Sequence, residues 1–130
     1  MENRYKKYYD ILVNFRKEVH QEPELSFQEY KTRDRIVSIL EKYDIPYSVV
    51  LNTGSVALIQ CNKPGRGYIG LRADMDALPV QEDTGCPFSS TTPMVAHCCG
   101  HDAHMTALLA AALVLQEHRQ TLENIVCLIF

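Results

Sequence analysis

The sequence predicts an α/β domain, and three observations carry that expectation. Up to Tyr43 the apolar residues step by three and four, the period of helix faces. From Tyr47 they turn β-branched and come in short runs, the mark of strands. Near the end an Ala/Leu-rich stretch leads into a continuous apolar run, so helix and strand alternate again.

Taken in order, Tyr5, Tyr8, Leu12, Phe15 and Val19 share one helix face. Pro23 turns Glu22 away from the helical region, so this helix ends near His20 or Gln21. Ser26 and Glu29 have the S-x-x-E spacing of a capping box, with Leu25 and Tyr30 as its hydrophobic staple. A second helix follows, burying Tyr30, Ile36, Val37, Leu40 and Tyr43, and Asp44-Ile45-Pro46 stops it. Strands are expected at 47–51 and 55–61, separated by the turn chemistry of Asn52-Thr53-Gly54. A Pro/Gly-rich turn at 62–67 leads to a third strand at 68–72, which runs into Asp74-Met75-Asp76. Residues 77–98 show no periodicity. A loop longer than about 15 residues is unusual in a compact domain and is often functional. Residues 103–118 read as a helix, and 125–130 as a buried strand.

Composition narrows the function classes. The chain has 130 residues, and Lys+Arg 13 against Asp+Glu 16 leaves a net charge of -3. A mildly acidic chain without a basic cluster is a poor nucleic-acid binder. No apolar run reaches the roughly 18 residues of a membrane span, and the charged, Tyr-rich start is no signal peptide. The expectation is one soluble, cytoplasmic domain with no nucleic-acid or membrane partner. Five cysteines, an odd count, fit reduced thiols. Cys61 and Cys127 lie in strand-like runs and read as inert core residues. Cys98 and Cys99 sit among His97, His101 and His104, and that clustering is the main functional signal.

Two constellations could carry chemistry. In an extended segment Asp74 and Asp76 point to one side, and strand ends are where α/β folds bind ligands; equally, both could cap a solvated turn. Cys99 and His101 would diverge on a helix, but Gly100 permits a turn that brings thiolate and imidazole together, a pair suited to zinc. A buried, hydrogen-bonded Cys/His pair and a thiol-redox role for Cys98-Cys99 remain alternatives. Asp102 falls where a helix N-cap is wanted, and His104 is a further ligand or a supporting partner.

Three ordered motifs resemble the M20 metal-dependent amidohydrolases, the branch of hippurate hydrolases, N-acyl-amino-acid amidohydrolases and auxin-conjugate hydrolases. They are Arg16 to His20 with Pro23-Glu24-Leu25-Ser26-Phe27 and Glu29, then Leu71 to Pro79 (the RADMDALP segment), then Ala96 to His104, which looks like MHACGHDxH. The resemblance implies the N-terminal part of an α/β/α sandwich catalytic domain, residues 1–130, without the family's lid domain. It implies that Cys99 and His101 bind metal, in a centre that holds two divalent ions (Zn, Mn, Co or Ni) in the full-length enzyme. Asp76 matches an Asp that supports this centre, and the role of Asp74 stays open. Substrates would be small N-acyl amino acids, cleaved at the amide by an amidohydrolase, aminoacylase or carboxypeptidase reaction, and the full-length family is often homo-oligomeric. Ala96 and Cys98 depart from the motif. The family's Gln-Pro-Ala-Glu-Glu segment, with its general base, is not among these residues, so the chain reads as a truncated piece, inactive alone. A non-catalytic metal-binding or redox module and an inert truncated product are the alternatives.

Overall fold

The protein is described here by a computed structural model that covers residues 5–62 and 67–130. Most of the turn expected at 62–67 lies outside the described residues. After a single 3-10 turn, α1 (Tyr9–Gln21) and α2 (Tyr30–Lys42) precede β1 (Tyr47–Val50), β2 (Gly54–Ile59) and β3 (Tyr68–Arg72). A long loop leads to α3 (His101–Glu117), and β4 (Ile125–Ile129) closes the order.

The four strands form one sheet in the order β1-β2-β4-β3. β2 pairs antiparallel with β1 and β4, whereas β3 runs parallel to β4. Parallel neighbours need a crossover, and here the long loop and α3 supply it. Burial alternates along the central strands. Ala57 and Ile59 on β2 are buried with their partners Leu128 and Val126 on β4, while Val56, Leu58 and Cys127 between them are only half-covered. The buried face packs against Phe15 and Val19 of α1, Ile36 and Leu40 of α2, and Met105, Leu109 and Leu113 of α3 in one core. No helix among the described residues is long and apolar enough to cross a membrane.

Three local expectations need correction. Tyr30 is exposed, and Thr32 and Ile39 take its place on the buried face of α2. The capping box at Ser26 does not form. Phe27 adopts a left-handed φ of 64°, which breaks the path from Ser26 into the helix. Instead the Glu24 carboxylate accepts the Lys31 and Thr32 backbone N–H groups at 3.1 and 2.8 Å, and the Thr32 hydroxyl at 2.9 Å. Cys61 and Cys127 are half-buried rather than core residues: Cys127 lies on the half-covered face of β4, and Cys61 lies beyond the end of β2.

This capping arrangement makes a measurable prediction. Glu24→Ala should lower stability by about 1 kcal/mol, as loss of a helix cap does. Ser26→Ala should stay within about 0.5 kcal/mol of the parent, as surface substitutions do. Urea unfolding midpoints of both variants check this, and the reverse order of effects would restore the box.

Candidate metal centre

β3 ends at Arg72, and the chain leaves the sheet extended. Ala73, Met75 and Ala77 are buried, while Asp74 and Asp76 alternate with them and face outward. Both carboxylates therefore line one cavity of about 450 Å³, together with Phe130 and the β1–β2 turn. Their partners differ. Arg72 Nη2 donates to Asp74 at 2.7 Å, at the exposed rim. Asp76 reaches His101 instead, whose Nδ1 lies 2.9 Å from the Asp76 carbonyl oxygen and 3.0 Å from its carboxylate.

Both of those neighbours can only accept, so in the neutral ring the proton sits on Nδ1 and the lone pair on Nε2. A carboxylate behind one ring nitrogen of a histidine is the usual support for metal at the other. His101 opens α3, and Gly100 before it has a left-handed φ of 83°. The helix therefore begins abruptly after Gly100, and Cys99 before it is exposed. Gly100 thus supplies the left-handed turn between Cys99 and His101 that the sequence suggests. His104 stands beside His101, with ring centroids 5.9 Å apart.

Asp102 is not the N-cap. It is the second residue of α3, 1% exposed, and its carboxylate binds α1 instead. His20 Nδ1 donates to it at 2.9 Å and Arg16 Nε at 3.2 Å. Burial alone would raise the Asp102 pKa, but these donors and the Ala103 backbone N–H hold it below the ordinary carboxylate range.

The same contacts reveal a cluster that the sequence hides. The other nitrogen of His20, Nε2, lies 3.2 Å from Glu82 Oε1 in the long loop. Glu82 also takes the Ser90 backbone N–H at 2.6 Å and the Thr84 hydroxyl, and these bonds lower its pKa to about 2. Cys86 Sγ stands 3.8 Å from Glu82 Oε1 and accepts from the Ser89 hydroxyl at 3.3 Å, which pulls its thiol below the usual range. Residues 20, 82 and 86 carry no shared motif, so only the folded loop brings them together. Next to His20, with ring centroids 6.4 Å apart, is His97. It is 6% exposed, and burial pushes its pKa down to about 4. Neither of its ring nitrogens has a hydrogen-bond partner in the described protein.

His101, backed by the Asp76 carboxylate near the carboxyl end of β3, has the support that metal-binding histidines use, at a place where α/β sheets bind ligands. Comparison with known proteins gives the family. The model of the peptidase family M20/M25/M40 matches residues 70–130. An N-acetylcysteine deacetylase of Bacillus subtilis is 40% identical over 127 residues, covering 96% of this chain and 33% of that protein. The IAA-amino acid hydrolase ILR1-like 2 of Arabidopsis thaliana is 42% identical over 123 residues, covering 94% of the chain and 28% of the relative. A Bacillus subtilis crystal structure described as a dinuclear metal binding peptidase from the M20 family superposes with a TM-score of 0.92 at 40% identity, over 96% of this chain and 35% of that one. The chain belongs to the M20 peptidase family, and it spans about a third of the length of these relatives.

The histidines set a pH dependence. Burial works against charge on His20, but the bonds to Asp102 and Glu82 prevail and raise its pKa above 6.5. Its stabilising share is present in full below the unfolded value and is lost as pH rises through the folded one. His97 behaves oppositely. Between pH 6.5 and about 4 the unfolded ring binds a proton that the buried ring refuses, so stability falls on acidification. Stability should therefore peak near neutrality. Unfolding midpoints across this range check it, and His97→Asn should flatten the acid limb.

Proposed function

We propose that this chain carries the Cys99–His101 half of a dinuclear metal centre in an amidohydrolase that cleaves N-acyl amino acids. The contact from Asp76 to His101 Nδ1 is the observation that carries the reading. It fixes the ring so that Nε2 offers a lone pair, and Gly100 turns the chain so that Cys99 can offer a thiolate beside it. Two ligands from one short turn suit a site completed by donors elsewhere in the protein, since catalytic ions take about three protein ligands. A divalent ion there supplies Lewis-acid polarisation of the amide carbonyl. Asp76 meanwhile keeps its proton partner, and the neighbouring cavity gives a substrate room.

The printed names of the relatives support the substrate class. One is a deacetylase of N-acetylcysteine and the other a hydrolase of IAA-amino acids, so both names point to an amide between an acyl group and an amino acid. In this reading residues 1–130 form the N-terminal part of the catalytic domain of a cytoplasmic enzyme, with hippurate-like compounds among its substrates. A Gln-Pro-Ala-Glu-Glu segment does not occur in these residues, so the general base comes from elsewhere.

Two outcomes follow. Zinc should protect the Cys99 thiol from alkylation; Asp76→Asn should weaken that protection about 10–100-fold, and His101→Ala should remove it. Undiminished protection in both variants would overturn the assignment. The 130-residue chain with added Mn or Zn should hydrolyse neither N-acetyl amino acids nor hippurate, and robust turnover would show that the base lies within it.

A further inference from the structure

We propose that His20, Glu82 and Cys86 form a second, separate site for a zinc-like divalent cation. Among the described residues they are the group of three metal-ligating side chains whose donor atoms all lie within 4.8 Å of one another. The geometry suits a tetrahedral ion. Bonds of about 2.0–2.3 Å to nitrogen, oxygen and sulfur place neighbouring donors about 3.3–3.7 Å apart. Here His20 Nε2 and Glu82 Oε1 are 3.2 Å apart, and Glu82 Oε1 and Cys86 Sγ are 3.8 Å apart.

The support around the ligands is already built. Asp102 holds His20 Nδ1 from behind, giving a carboxylate–histidine arrangement, and Arg16 in turn holds Asp102. The Ser90 backbone N–H fixes Glu82 through its Oε2, while Oε1, which also accepts from the Thr84 hydroxyl, lies against the other two donors. The Phe88 ring stands edge-on to His20 with centroids 5.4 Å apart and shields the imidazole. The mix of imidazole, carboxylate and thiolate favours Zn or Co over Mg or Ca, which take oxygen alone. An entering ion takes the place of the proton on Nε2 and of the thiol proton, and both protons leave to solvent. His97, buried with unpartnered ring nitrogens, stands near His20 but outside the group of three donors.

This site shares no ligand with the Cys99–His101 centre, so each can be tested without the other. In the Cys98→Ser/Cys99→Ser chain, Co(II) titration should produce a thiolate-to-cobalt absorption that saturates at one equivalent. Cys86→Ser in that background should abolish it, and Glu82→Gln should weaken binding about 10-fold or more. In the unsubstituted chain, zinc should protect Cys86 from iodoacetamide, read peptide by peptide by mass spectrometry. A band that survives Cys86→Ser, or a Cys86 that zinc leaves fully reactive, would overturn the proposal.

Discussion

The buried carboxylate of Asp102 is the constraint on which the rest of the architecture hangs. An ionised group with 1% of its surface exposed is tolerable only when it is paired and hydrogen-bonded. Arg16 and His20 meet that demand, and both come from α1, more than eighty residues earlier. Satisfying one charge therefore fixes the start of α3 against the end of α1. Removing either partner would leave a buried charge under-compensated, which costs far more than the pair is worth when intact.

From that anchor the chemistry spreads in two directions. One residue before Asp102, His101 faces the end of β3 and takes Asp76. Through His20, the same anchor holds Glu82 and with it the long loop, which has little regular structure of its own. The loop is ordered by polar bonds instead. Thr91 donates through both its N–H and its hydroxyl to the Gln21 carbonyl, and the Ser90 hydroxyl donates to the Thr92 and Val95 carbonyls. An isolated bridge at Leu78–Ala96 joins the two ends of the loop, and one at Leu25–Ala77 ties its base to the segment between α1 and α2. A segment without an apolar period is thus held by satisfied backbone groups.

What the sequence discloses follows from what is local in it. Helix faces such as Phe15–Val19 and the strand at Tyr68–Arg72 are periodic within a few residues, so their ends are legible to within two or three positions. The Cys99-Gly100-His101 turn is equally local, because only Gly takes the left-handed angle at little cost. Capping fails as a sequence signal because it is a competition. Ser26 has the right spacing, but the helix starts at Tyr30, where Glu24 takes the Lys31 and Thr32 N–H groups. Asp102 sits near an N-cap position, yet its carboxylate is claimed by α1. The His20, Glu82 and Cys86 cluster is illegible for a stricter reason, since its members meet only through the path of the loop.

The concentration of acids around the first turn of α3 has an electrostatic cause. A helix N-terminus carries roughly half a positive charge, so it repels cations and attracts carboxylates. A cation centre at that end is therefore disfavoured unless anionic groups surround it. Asp76 and Asp102 supply them on either side of the helix start, with Glu82 one step further out. Backing each imidazole with a carboxylate also makes the ring a better donor at its other nitrogen. The helix end thus positions His101 and Asp102 while the acids cancel its field. That balance removes the main electrostatic objection to either proposed cation site at a helix terminus that by itself favours anions.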